Sequence, residues 1–239
     1  MKRILACLVL LSVLALAQFL PQSQSAVSRL PAAVAGGKVW LIDENCEGAS
    51  TPSGWTNHNT VDWDYSTAGL DLDGSHCLHI AVSATVGQAV TSFGSRTDVW
   101  LFWKLYIAGR PTSSAIMIEV MNANETSTLA YVQLRSTGGF RVYNGTTYLS
   151  PVSVIAATAD TYWFWLHLRT TGDGAGVLTE FAFSPTSTKP TSGDNYVTGV
   201  TGDNATAMVL ARWSGNNQGQ DMYFDKLRGD DEVIGDNGE

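Results

Sequence analysis

The chain has 239 residues, 44% of them hydrophobic, 15% charged and 10% aromatic, with a formal net charge of −8 and a pI of about 4.9. That length suits one large all-β domain or two small ones, and the apolar content supplies a core and excludes wholesale disorder. The acidic balance argues against a nucleic-acid backbone or an anionic membrane surface as a partner.

Lys2 and Arg3 precede an apolar run from Ile4 to Leu16, and Ala15-Leu16-Ala17 supplies the small residues of a cleavage site. This is the layout of a secretory signal peptide, expected over 1–25 with cleavage after Ala17 or Ser25. The alternative is an uncleaved anchor, but Ser12 and Gln18 interrupt the run and Pro21 follows it, leaving it short of a span. The mature protein is therefore expected to be secreted or extracellular, with the cell surface included, and to have no membrane span. Cys7 leaves with the signal, so Cys46 and Cys77 remain, an even number in an oxidising setting. A disulfide between them is expected, closing a loop of about 30 residues and contributing roughly 3–4 kcal/mol. Two buried thiols are the alternative.

Residues 26–37 are small and apolar and read as a linker, and 38–228 read as one domain of short strands. The strand candidates are 38–46, 77–83, 99–107, 115–121, 129–135, 140–143, 162–170, 178–183, 207–213 and 222–228. Turn chemistry separates them at Asn122-Ala123-Asn124, Gly138-Gly139, Asn144-Gly145, Gly172-Asp173-Gly174 and Gly215-Asn216-Asn217. The expected fold is all-β, a two-sheet antiparallel β-sandwich. Residues 229–239 form an acidic tail, read as a mobile, solubilising end.

Period-2 alternation separates two faces on each strand. Val99, Leu101, Trp103, Leu105 and Ile107 form one apolar face, and Tyr162, Phe164, Leu166 and Leu168 another. Ile116, Ile118 and Val120 oppose Met117, Glu119 and Met121, and Ala130, Val132 and Leu134 oppose Tyr131, Gln133 and Arg135. The second face thus mixes rings with charged and amide groups. Sugars need both kinds, because their C–H faces stack on aromatic rings while their hydroxyls need polar partners. For a glycan ligand the expected groove uses Trp163 and Trp165 as platforms and Glu119, Gln133, Arg135 and His167 as hydrogen-bonding partners, with Tyr131 between them if those strands are neighbours in one sheet. Burial of Trp163 or Trp165 in the core is the alternative.

Asp43-Glu44-Asn45-Cys46-Glu47-Gly48 is followed by Gly54-Trp55, then Trp63-Asp64-Tyr65, then Gly74-Ser75-His76-Cys77-Leu78. With Tyr162-Trp163-Phe164-Trp165 and the closing Tyr223-Phe224-Asp225-Lys226-Leu227, this order resembles the concanavalin A-like lectin/glucanase domains, the laminin-G-like jelly rolls. The resemblance spans about residues 39–228. It implies a glycan-binding or adhesion module whose partner is a glycan or cell-surface polysaccharide. It also implies a structural calcium ion tying the first strand to the last, with Asp225 and Glu44 or Glu47 as ligands. If the strands holding Cys46 and Cys77 are neighbours, the resemblance favours their bridge. The glucanase branch of that family carries an E-x-D-x-x-E strand, which this chain lacks, and no other catalytic signature is present. A non-catalytic module is therefore the first reading. A glycoside hydrolase or polysaccharide lyase, or a structural domain of a cell-surface or virion assembly, are the alternatives.

Other features have plainer readings. His58, His76, His79 and His167 fit no structural-zinc spacing. Arg228-Gly229-Asp230 reads as a chance tripeptide in a turn. The sequons at Asn124, Asn144 and Asn204 sit in expected turns.

Overall fold

A computed structural model describes residues 38–239 apart from 49, 59–60, 82–86, 123–126, 146, 149–158, 171–177, 192–195, 199–203 and 212–220. The expected signal peptide and linker, the Asn124 sequon, the threonine of the Asn144 sequon and the turns at 172–174 and 215–217 lie outside the described residues. Residues Trp40–Glu239 form one compact unit.

Its strands are β1 (Ile42–Glu44), β2 (Trp55–His58), β3 (Val61–Ser66), β4 (His76–Ile80), β5 (Gln88–Arg96), β6 (Asp98–Ile107), β7 (Ala115–Met121), β8 (Thr128–Leu134), β9 (Phe140–Tyr143), β10 (Asp160–Arg169), β11 (Leu178–Ser184), β12 (Tyr196–Thr198), β13 (Ala205–Leu210) and β14 (Met222–Asp230). Among the described residues they form two antiparallel sheets. An eight-stranded sheet runs β12-β11-β10-β6-β14-β4-β3, with β1 also on β14, and a six-stranded sheet runs β2-β5-β13-β7-β8-β9. Among the described residues no helix is long and apolar enough to cross a membrane.

The alternating faces explain the sandwich. Val99, Leu101, Trp103, Leu105 and Ile107 on β6, and Phe164, Leu166 and Leu168 on β10, are all buried in one core. Facing them from the six-stranded sheet are Val120, Ala130, Val132, Leu134, Phe140 and Val142. Phe140 crosses the gap to pack edge-on against Phe164, with ring centroids 5.2 Å apart, while Trp103 stacks on Phe164 at 5.1 Å. Such ring pairs add about 0.5–1.5 kcal/mol each beyond their buried area.

Four strands escape the sequence reading: β2, β3, β5 and β12. β5 is rich in small and polar residues, and Gly94 takes a positive φ of 77° near a register shift against β13. A bulge of that kind breaks alternation, the signal on which strand recognition depends. A second irregularity between Ile116 and Ile118 breaks the alternation on β7, so that Met117 and Ile118 both join the core.

The C-terminal segment differs most from expectation. It is docked rather than mobile. Ile234 is fully buried with Phe102, Trp165 and Ala182, and the Gly235 carbonyl accepts a 2.8 Å hydrogen bond from the Trp165 indole. Lys189 donates its Nζ to the Ile234 carbonyl, and the Asn237 amide bonds to the Ser187 carbonyl. Residues 228–230 lie within β14 rather than in a turn, with Arg228 paired to Asp43 at 2.7 Å and Gly229 packed on Ile42.

Candidate functional site

Six of the seven residues expected to form one groove lie on two different sheets. Trp163, Trp165 and His167 belong to β10 in the eight-stranded sheet; Glu119 on β7 and Tyr131 and Gln133 on β8 belong to the six-stranded one. Each side chain does face away from the main core, yet the two outer faces look in opposite directions across the sandwich.

Trp165 is 1% exposed beneath Ile234, in a small cluster flanked by Trp40, Trp100 and Trp163. It is a core residue, not a platform. His167 is also buried, stacked on Trp100 at 3.8 Å, with Nε2 2.8 Å from Asp98 and Nδ1 3.6 Å from Glu180. The His167 ring holds the Glu180 carboxyl below the usual range. Trp163 is half-buried under the Lys104 ammonium, 4.8 Å from the ring centroid. This part of the face is closed by its own chain.

The outer face of the six-stranded sheet is built differently. Opposite positions run Val90–Val209–Glu119–Tyr131–Tyr143 across β5, β13, β7, β8 and β9. At the β9 edge Tyr131 stacks on Tyr143 at 4.8 Å, and Tyr148, beyond β9, meets both rings at 6.0 and 5.2 Å. The Arg141 guanidinium lies 3.5 Å from the Tyr148 centroid and donates through Nε and Nη2 to Gln133 Oε1 at 3.2 and 2.7 Å. The Tyr131 hydroxyl donates to that of Tyr148. Burial first, then this bond, raises the Tyr131 phenol above its ordinary pKa, so it stays protonated at neutral pH. Tyr148 is 47% exposed, beside the Arg141 guanidinium and the Gln133 amide to which that guanidinium is bonded.

Glu119 lies inboard, 1% exposed, with Oε1 accepting a hydrogen bond from Thr128. Its directly opposite neighbours are Tyr131 and Val209, so no second carboxylate stands opposite it on either flanking strand. Arg135 lies past the end of β8, in a turn where its amide bonds to the Gly139 carbonyl. Sequence reasoning missed Arg141, Tyr143 and Tyr148. Alternation in Phe140–Tyr143 already sends Phe140 and Val142 inward and Arg141 and Tyr143 outward, which would have found two of the three.

The expected calcium ligands are committed elsewhere. Glu44 Oε1 accepts the Cys46 amide at 2.7 Å. Glu47 accepts the amide and hydroxyl of Ser75, and against the opposing effect of burial these bonds hold its carboxyl below the ordinary range. Asp225, 1% exposed, accepts the amides of Asp73 and Lys226 at 2.8 and 2.7 Å. Burial pushes its carboxyl up to about 7. Glu47 and Asp225 share a cavity of about 330 Å³ with Asn45, Asp73, Lys226 and Arg228, whereas Glu44 is turned to Cys46. Among the described residues no three of His, Cys, Asp and Glu gather as a metal-binding group. Calcium needs six or more oxygens on one point, and this donor set as arranged does not fit it.

Cys46 and Cys77 stand as buried free thiols, not as the expected bridge. Burial, reinforced by the nearby Asp225 carboxylate, raises both above the ordinary thiol range, Cys77 to about 12.

No family model and no curated protein matches the chain by sequence. Solved structures match it by shape. The carbohydrate recognition domain of Emp46p, in its metal-free form, superposes with a TM-score of 0.56 at 10% identity, covering 82% of this chain and all of that one. The chain has the concanavalin A-like jelly-roll fold. A PL-14 alginate lyase from Aplysia kurodai matches with a TM-score of 0.59 at 8% identity, covering 80% of this chain and 99% of that one. A sialidase matches at 0.58 and 10% identity over 80% of this jelly roll's chain, which spans only 18% of the sialidase.

Proposed function

We propose that this jelly roll is an extracellular, non-catalytic glycan-binding module, and that it holds sugar on the outer face of the six-stranded sheet at Tyr131, Tyr143 and Tyr148. The observation that carries this reading is Tyr148, half exposed, with the Arg141 guanidinium against its ring and Gln133 alongside. Tyrosine rings offer a stacking surface for the C–H faces of a pyranose, while the amide and guanidinium suit its hydroxyls or a carboxylate. A carbohydrate recognition domain among the neighbours supports binding; the sialidase and the alginate lyase support the alternative of cleavage. The residues directly opposite Glu119 on the flanking strands are Val209 and Tyr131, whereas glycoside hydrolysis ordinarily uses two facing carboxylates, which supports binding.

A glycan array followed by calorimetry tests the reading. Tyr148→Ala and Arg141→Ala should each weaken binding at least tenfold with little change in melting temperature. Unchanged affinity would move the site elsewhere, and release of reducing ends or unsaturated uronates would make the protein an enzyme. The signal-like start supports export. Export would expose Cys46 and Cys77 to oxidants during folding, and the mass of the unreduced protein tests the bridge. A rise in melting temperature on adding calcium after chelation tests the ion, which would have to draw Glu44, Glu47 or Asp225 from their present hydrogen bonds.

A further inference from the structure

The outer face of the eight-stranded sheet changes character along its length. At one end it is sealed by Ile234 and Gly235 over Trp165 and Phe102. At the other, four polar rings lie side by side without such a cover among the described residues. Tyr106 on β6, Tyr223 on β14, His79 on β4 and Asp62 on β3 occupy directly opposite positions on four neighbouring strands. At about 4.8 Å per strand this row is about 14 Å long.

The rings are mutually supported. His79 stacks on Tyr223 with centroids 4.7 Å apart and planes 11° apart, Tyr65 packs against both at 4.4 and 5.2 Å, and Tyr106 meets Tyr223 at 5.7 Å. Tyr65, His79 and Tyr106 each keep a solvent-facing part. Burial, then the hydrogen bond to Tyr65, raises the Tyr223 phenol above its ordinary range, and its hydroxyl donates to Asp221 Oδ2 at 3.4 Å. His79 Nε2 lies 3.7 Å from Asp221, beyond hydrogen-bond reach, and has no hydrogen-bond partner among the described residues. Among the described residues the carboxylates beside the rings are Asp221, next to Tyr223 and His79, and the exposed Asp62 and Asp64 on β3, while Lys104, two residues from Tyr106 on the same face of β6, is buried and paired with Asp73 at 2.9 Å. His76, paired with Asp64 at 3.2 Å, is the nearby titratable base besides His79.

Clustered tyrosine rings suit an interaction surface, because each joins an apolar face to a hydrogen-bonding hydroxyl. We propose that this row is a second carbohydrate subsite, on the sheet opposite Tyr148, for a neutral or amino-bearing oligosaccharide. The rings supply stacking surfaces along a line, as a linear glycan needs, and the carboxylates accept hydrogen bonds from hydroxyls or ammonium groups. The same carboxylates repel a uronate, so the chemistry differs from the Arg141 platform. The proposal stands apart from the function proposed for Tyr148, since the residues and the sheet are different.

Calorimetry with three probes, a glucosamine hexamer, cellohexaose and an oligouronate, on the full chain tests it. The glucosamine hexamer or cellohexaose should bind the wild-type protein, and Tyr65→Ala with Tyr106→Ala should weaken that binding at least tenfold while leaving any Tyr148-dependent binding intact. Asp62→Arg, at an exposed position, serves where the ring variants do not fold; it should weaken the glucosamine hexamer tenfold and spare cellohexaose. Failure of both uncharged and amino probes to bind at millimolar concentration overturns the proposal, as does binding abolished by Tyr148→Ala and untouched by Tyr65→Ala, Tyr106→Ala and Asp62→Arg. The last outcome leaves the Tyr148 reading standing. Loss through the row alone supports the row, and only if no probe, the oligouronate included, depends on Tyr148 does it refute the Tyr148 site.

Discussion

Replacing Trp165 by alanine separates a packed indole from a sugar platform. The side chain is 1% exposed, lies against Phe102 and Ile234, and donates its N–H to Gly235 at 2.8 Å. Removing a buried Trp loses transfer free energy and leaves a cavity, together about 3–5 kcal/mol. The Gly235 carbonyl also loses its donor, a cost of about 1–3 kcal/mol if it stays dry. The segment can relax outward and let water in, so the two costs do not simply add, and about 4 kcal/mol is expected. That is a large part of the roughly 5–15 kcal/mol that holds a domain folded. Trp165→Phe keeps a ring and drops only the donor, so a smaller loss of about 1–2 kcal/mol is expected. Urea unfolding followed by far-UV circular dichroism measures both, and hydrogen exchange over 231–239 should rise in each variant because the tail loses its anchor. A loss under 1 kcal/mol for Trp165→Ala, with unchanged exchange in the tail, would refute the docking of this segment.

Other outcomes follow from single contacts. The Asp225 carboxyl sits near 7 in the fold against an ordinary value of 3.8, so the folded state holds its proton more tightly than the unfolded chain does. Its contribution is fully present below about pH 4 and is lost as pH rises through about 7, amounting to on the order of 4 kcal/mol. Asp225→Asn should flatten that part of the stability–pH profile, and a variant profile parallel to the wild type between pH 4 and 8 would contradict the burial argument. Gly74 takes a φ of 66°, and a Cβ there would lie 1.9 Å from the Glu47 carboxylate. Gly74→Ala should therefore cost about 1–3 kcal/mol in urea unfolding, through both the strained backbone and the displaced Glu47. Arg141→Lys should weaken glycan binding nearly as much as Arg141→Ala, because an ammonium cannot reproduce a planar group laid on Tyr148 while bonded twice to Gln133. Equal affinity for Arg141→Lys and wild type, measured by calorimetry, would show that charge alone is used there.

What the sequence determined by itself is local. Alternation identified the inward faces of β6, β8 and β10, and turn residues separated most of the strands, because a strand's two faces are set by backbone geometry that needs no partner. The same alternation correctly sent Glu119, Tyr131, Gln133, Trp163, Trp165 and His167 away from the main core. Which of them could meet was decided by long-range pairing. β10 lies between β6 and β11 while β8 lies between β7 and β9, so residues of similar pattern went to opposite sides of the sandwich. Pairing depends on closure of long loops and on the fit of a whole face, which no short window of sequence contains. The tail shows the same division. Its acidic composition describes a solvated end, yet one apolar residue, Ile234, and one backbone carbonyl, that of Gly235, dock it over Trp165. Composition averages over the segment, while packing turns on the single side chain that finds a hydrophobic face to cover.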